Sequence, residues 1–350
     1  MRIFILFFLV IHLFGDTNTT IKSENNSSEN NITEQNETLI LNEEIIPNIE
    51  SYGDEIDIAI VLNKKKFFKF IPSLMKSINA YMIKKDINYH IKLFNMDNNL
   101  TKDLNNITSD YTYIFAYITN ENDIKVLNNY PDNYFFIPTL NKNQIEVNCS
   151  DNIFFGGIDY QKQIFKLNKY INGFTTIVYD NSNLSKYITT IIDETLLQPH
   201  KIKKYPIKYN LYEYNNSFVY LNTNIVHTAQ ILSNFTYKKI KPKSIFTTQI
   251  DYSPLLFSLT NKEDIQNLIV TNSIFNINPI IEDNNLNLGS EIDFNWLNFT
   301  TSVLLNKAYL LETSEEEFFL NDFDLYILFN QVNYKVNLYR IYKNGFIKIK

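Results

Sequence analysis

From residue 57 onward the apolar positions fall into two alternating patterns. Ile58-Ala59-Ile60-Val61-Leu62 is an unbroken apolar run, as a strand covered on both faces requires. Phe67, Phe70, Ile71, Leu74, Ile78, Tyr81 and Met82 then recur at three- and four-residue steps, one stripe of a helix. Tyr89-His90-Ile91-Lys92-Leu93-Phe94 brings back the strand pattern. A strand, helix and strand of these lengths predict a parallel pair joined by a right-handed crossover. Further strands are predicted at 111–118, 134–137 and 152–158, the last with Gly156-Gly157 marking a bulge or turn. Thr119-Asn120 can cap a short helix over 123–128.

A second alternating series follows. Ile164, Leu167 and Ile171 mark a helix, 174–179 a strand, and Leu184, Tyr187, Ile188, Ile191 and Ile192 another helix. Strands at 217–222, 244–250 and 267–273 bracket a helix over 225–235. Helix is expected from Trp296 to Leu311, and Ser314 with Glu317 has the spacing of a capping box. Residues 323–349 alternate aromatic and polar side chains around Asn344-Gly345, the pattern of an antiparallel hairpin. The fold class is therefore α/β: two lobes of mostly parallel sheet flanked by helices, with a C-terminal antiparallel hairpin. The expected bounds are lobe 1 over 54–150, lobe 2 over 151–275, and a return to lobe 1 with the last helices and hairpin over 276–350.

The first fifty residues do not share this pattern. Met1-Arg2 precedes a dozen almost wholly apolar residues, 3–14, which read as an export signal over 1–15. The run is shorter than the 20 or so residues of a membrane span; an uncleaved anchor is the alternative. Residues 16–53 are rich in Asn and Glu and read as a disordered tether. Within it Asn18, Asn26, Asn31 and Asn36 each begin an Asn-x-Ser/Thr triplet with an acid two positions earlier. That five-residue form resembles the acceptor of bacterial periplasmic N-glycosylation.

Composition narrows the function. The chain has 350 residues, with 27 Phe and 24 Tyr to build cores and a single cysteine. An exported protein of this size with one cysteine suits the periplasm. Net charge is −6, but residues 16–50 hold eight acids against Lys22 alone and Arg2 adds one positive charge, so residues 51–350 are neutral. A neutral body with two short basic runs, Lys64 to Lys66 and Lys201 to Lys204, argues against nucleic acid as a partner. Both runs read as solvated surface.

No catalytic or metal-binding motif stands out. His90, His200 and His227 lack metal-spaced partners, and neither HExxH nor GxSxG occurs. Gly156-Gly157 lacks the third glycine and lysine of a phosphate loop. Cys149 reads as a small packing residue, and Asp322 with Asp324 as neighbours on one face of a strand without a nucleophile. The expectation is a non-enzyme without cofactor or metal.

In order and content these elements resemble the type 1 periplasmic-binding-protein fold from Asp57 to Leu311. The segments that carry the resemblance are IDIAIVLN, KLFNMD ending at Asp97, YIFAYITN, YFFIPTLN and FTTIVYDN. They are similar to the ligand-binding region of branched-chain amino-acid receptors and of penicillin-binding-protein activators. The resemblance implies a periplasmic protein, monomer or weak dimer, whose partner is a small-molecule solute or a cell-envelope protein. It also implies a cleft at the carboxyl ends of the strands, with Asn63, Thr119, Asn120, Thr139, Tyr160, Thr223, Asp251 and Tyr252 as candidate contacts. One departure is Glu121, whose acid would repel a substrate carboxylate, and a cleft lined with Tyr, Thr and Asn suits a neutral or sugar-like ligand as well as an amino acid.

Overall fold

β1 (Glu55–Leu62) founds the first sheet. Ile56, Ile58, Ile60 and Leu62 join one apolar core, while Ala59 and Val61 join another on the opposite face. Such double burial is what its unbroken apolar run foretold. The structure is a computed structural model that describes residues 55–96, 100–207, 211–313 and 318–349. The expected export signal, the Asn/Glu-rich segment with its four sequons, Asp97 and the Ser314–Glu317 capping box lie outside the described residues.

After β1 come α1 (Lys64–Phe67), α2 (Ile71–Lys85), β2 (Asn88–Asn95), α3 (Leu100–Asn105), β3 (Tyr113–Tyr117), α4 (Glu121–Leu127), β4 (Tyr134–Ile137) and β5 (Ile153–Phe155). These strands are parallel, in the order β2-β1-β3-β4-β5. The single helix expected through Phe67 and Met82 is split into α1 and α2. Pro72 explains the split: it cannot supply an interior helical N–H but is accommodated in the first turn of α2.

The second sheet repeats the plan. α5 (Tyr160–Asn168), β6 (Thr175–Tyr179), α6 (Asn183–Thr195), β7 (His200–Lys204), β8 (Phe218–Asn222), α7 (Ile225–Tyr237), β9 (Ser244–Thr247), α8 (Leu255–Leu259) and β10 (Leu268–Asn272) follow. The parallel order is β7-β6-β8-β9-β10. Lys201 to Lys204, read from sequence as solvated surface, form most of edge strand β7. Lys201 and Lys203 both engage Glu213, which offsets the clustered charge.

α9 (Pro279–Asn287) and α10 (Trp296–Glu312) then pack against α2. β11 (Phe319–Leu320), β12 (Leu325–Leu328) and β13 (Gln331–Val332) extend the first sheet beyond β5. β14 (Asn337–Tyr342) and β15 (Gly345–Ile349) form the hairpin around Asn344-Gly345. That hairpin joins the second sheet, where β14 runs antiparallel to β10. The expectation that all of 276–350 returns to lobe 1 is thus corrected. The aromatic alternation over 323–349 belongs to strands of both sheets, because period two marks a half-buried strand without naming its neighbour.

Among the described residues the chain passes between the sheets at 156–159, 273–278 and 333–336. The first two passages leave from the carboxyl ends of β5 and β10, so these ends face the region between the lobes. Gly156-Gly157, expected as a bulge or turn, owes its composition to crowding in the first passage. A Cβ on Gly157 would lie 2.2 Å from the Leu140 carbonyl carbon, and one on Gly156 would lie 2.7 Å from Leu304 of α10.

Candidate functional site

In the first sheet β2 lies on one side of β1 and β3 on the other, so the connections leaving β1 and β3 diverge. A crevice at the carboxyl ends follows from that divergence. Two caps shape it. Asn63, directly after β1, accepts the Lys66 backbone N–H at 3.0 Å and donates its amide to the Met96 carbonyl at 3.4 Å. Asn120, after β3, accepts the Asp123 N–H at 3.1 Å and donates to the Asp123 carboxylate at 2.7 Å. The Lys66 ammonium reaches across and donates to Thr119 Oγ1 at 2.6 Å.

These residues line a cavity of about 230 Å³ that Phe67, Met96, Leu100 and Tyr117 complete. Tyr117 is fully buried and bonded to Thr301 Oγ1 of α10 at 2.9 Å, which ties the cavity floor to the helix behind it. Burial pushes the Asp123 carboxyl up from its ordinary range, opposed by the Asn120 amide and the Lys66 charge. The cavity therefore offers one cation, one acid, a hydroxyl and two amides above an apolar floor. It can grip a small polar group. Thr119 and Lys66 together suit an oxyanion, whereas Asp123 and Asn120 suit a donor.

Of the eight candidate contacts, the structure brings Asn63, Thr119 and Asn120 into this one cavity. Thr139 stands near by, its hydroxyl spent on the Ile118 carbonyl at the end of β3. Lys66 and Asp123 were missed. Lys66 was hidden in a run of three lysines, and the signal that could have found both is their position three residues after a capping Asn. Glu121, set from sequence against an anionic ligand, has Oε2 accepting the Glu146 N–H at 3.3 Å.

The other candidates belong to the second lobe and are mostly turned inward. Tyr160 is buried at the start of α5, and burial raises its hydroxyl pKa. Thr223 pairs with Thr228 at 2.8 Å. Asp251 is fully buried, and its Oδ2 accepts from Thr228 at 2.9 Å and Thr247 at 2.5 Å. Its Oδ1 has no partner, and burial pushes the carboxyl up to about 7. Tyr252 stacks on Phe346 at 4.2 Å and on Phe294 at 5.5 Å. Buried Gln163 of α5 bonds Gln249, Thr271 and Ser273, a network that fixes the carboxyl ends of β9 and β10.

Groups weighed for chemistry have structural roles here. His227 sits in the first turn of α7, stacked on Tyr205 at 4.2 Å, with Nδ1 3.5 Å from Asp180. Burial pulls the Asp180 carboxyl up, but the N–H groups of Asn224 and Ser182 outweigh it and hold it low. Asp322 and Asp324 do not share a strand face as expected. Asp322 is buried against Lys84 and Lys85, while Asp324 lies in the turn before β12, paired with Lys335 at 2.6 Å. The Cys149 thiol donates to the Val147 carbonyl, and burial raises its pKa. Among the described residues no His/Cys/Asp/Glu group is placed to hold a metal ion, and no helix is long and apolar enough to cross a membrane.

Neither a protein-family model nor a curated protein matches the sequence. Solved structures do match. A putative branched-chain amino acid ABC transporter protein from Rhodospirillum rubrum is similar over 85% of this chain and 100% of its own, at TM-score 0.65 and 7% identity. A solute-binding protein of an ABC transporter from R. palustris, solved with 4-hydroxybenzoate, matches over 85% and 96%, at TM-score 0.60 and 9% identity. LpoA from Haemophilus influenzae matches over 85% of this chain and 60% of its own, at TM-score 0.57 and 11% identity. Likeness at such identities is likeness of fold. The chain has the two-lobed type 1 periplasmic-binding-protein fold.

Proposed function

We propose that this is an exported, periplasmic solute-binding protein that captures a small carboxylate between its lobes and does not transform it. The observation that carries the reading is the cavity where β1 and β3 diverge. There Lys66 and Thr119 present a cation and a hydroxyl 2.6 Å apart, at the place where this fold leaves a crevice. The proposed contacts are Asn63, Lys66, Thr119, Asn120 and Asp123. Thr139 sits behind Thr119 through its bond to the Ile118 carbonyl, and the second-lobe candidates Tyr160, Thr223, Asp251 and Tyr252 do not line this cavity. The 4-hydroxybenzoate bound by the R. palustris protein is itself a carboxylate, which accords with the choice of ligand class.

The test is a thermal-shift panel of small carboxylates. One member at about a hundred times its Kd should raise Tm by about 5 °C, and Lys66→Ala with Thr119→Val should remove the shift. A panel without effect on the wild type counts against capture.

A second reading, a scaffold for a cell-envelope partner, draws on one observation. The cavity is smaller than the ~300 Å³ at which ligand pockets usually begin, and the Lys66–Thr119 bond spans it. LpoA shares the fold. On that reading no solute shifts Tm, and cross-linking in intact cells recovers an envelope protein. Export and glycosylation at Asn18, Asn26, Asn31 and Asn36 are further parts of the proposal. Intact mass of the secreted chain should fall by the glycan masses when Asn26, Asn31 and Asn36 are replaced together.

A further inference from the structure

The β11–β12–β13 ribbon at the end of the first sheet presents an apolar surface that neither the cavity nor the core uses. Phe319 pairs with Tyr326 across β11 and β12, and Leu328 follows two residues on, so these three share the outward face. Phe318 is 78% exposed, Phe319 44%, Tyr326 37%, Leu328 46% and Phe329 90%.

Phe329 is the telling residue. It and Asn330 are the two residues between Leu328 and Gln331, and both are left-handed, at φ 49° and 63°. Two-residue hairpin turns of this hand take Asn, Asp or Gly, and a bulky side chain there is strained. Here a phenylalanine accepts that strain with its ring in solvent. Its backbone is nevertheless pinned: Lys142 Nζ donates to the Phe329 carbonyl at 3.0 Å. Neighbouring Asn330 donates to the Asp151 carbonyl at 2.8 Å and accepts the Phe155 N–H at 2.8 Å. An exposed ring carried on a strained but pinned backbone at the tip of an apolar ribbon marks a contact surface.

We infer that this ribbon is a self-association face, and that its occupant is the same ribbon of a second copy of the chain. Three features favour a second copy. β11 is the terminal strand of its sheet, and among the described residues nothing pairs with its outer edge. A strand edge accepts its own copy antiparallel about a two-fold axis. Residues 51–350 carry no net charge, so two copies meet without long-range repulsion. At about 200 Å² per large side chain, the five exposures amount to about 600 Å² per copy and about 1,200 Å² per pair, the lower bound for a specific interface. The dimer is therefore weak, with Kd in the micromolar range.

Sedimentation velocity of the full chain over a micromolar concentration series tests this. Wild type should pass from monomer to dimer across the series. Phe329→Asn should raise Kd at least tenfold while unfolding no more easily than wild type, because Asn suits the left-handed turn. Tyr326→Thr, which keeps strand propensity, should weaken association in the same direction. A wild type that stays monomeric throughout, or an association that Phe329→Asn leaves unchanged, overturns the inference. Chemical denaturation of each variant separates loss of the face from loss of the fold.

Discussion

Asp251 shows how a single residue reports its surroundings. It follows β9 in the second lobe, fully buried, with Thr228 and Thr247 on one oxygen and nothing on the other. Its folded pKa of about 7 lies above the ordinary 3.8. Between those limits the folded chain holds a proton that the unfolded chain has released. Its contribution to stability is complete below about 4, is lost as pH rises towards 7 and is flat above. The scale is roughly 1.4 kcal/mol per pH unit in that window. Asp251→Asn, neutral at every pH, should flatten this slope and melt above wild type at pH 8 but not at pH 4. Parallel melting curves of the two proteins at both pH values would show the carboxyl is not buried as described. From sequence Asp251 reads as a candidate cleft contact. Its burial could not be seen, since that depends on α7 supplying Thr228 from the neighbouring strand's crossover.

At the scale of elements, ties between distant segments decide the outcome. α2 ends in Lys84-Lys85, and both ammonium groups reach buried Asp322, which lies between β11 and β12. Burial alone would raise the Asp322 pKa, but the two lysines hold it below its ordinary value. Its contribution is thus present above that value and lost as pH falls through the folded pKa. Asp322→Ala strands two cations in a largely buried place, and should cost about 3–5 kcal/mol by urea denaturation at pH 7. A second element-scale prediction concerns the first passage between lobes. Gly157→Ala puts a methyl group 2.2 Å from the Leu140 carbonyl carbon, a backbone neighbour that cannot swing away. It should destabilise the chain by about 1–3 kcal/mol, whereas Gly173→Ala, with 3.5 Å to the Phe218 ring, should be near neutral.

Elements with strong periodicity were legible in the sequence: β1, β3, β8, α7 and α10 fall where their apolar patterns put them. Pro72 interrupts the apolar stripe of α1 and α2, because it fits only the first turn of a helix. β7 was hidden because three of its five residues from His200 are Lys201, Lys203 and Lys204, and their partner Glu213 lies beyond the strand. Period two likewise revealed β14 and β15 without revealing that their neighbour is β10. Edge strands and hairpins take their partners from tertiary packing, which no local pattern encodes.

For the whole molecule, the repeated order of five parallel strands and the three passages between sheets make two lobes with their carboxyl edges towards a common region. The two-lobed fold was legible because alternating strand and helix patterns leave few parallel arrangements. The candidate site was only half legible. Strand ends marked Asn63, Thr119 and Asn120, whereas Lys66 and Asp123 came into view only when two caps folded toward each other. The central claim is that this cavity holds a solute. Native mass spectrometry of gently purified protein tests it most directly. The account predicts a small adduct of constant mass on the wild type that is lost from the Lys66→Ala, Thr119→Val protein. An adduct that survives the double replacement, or a wild type that carries no adduct, would contradict it.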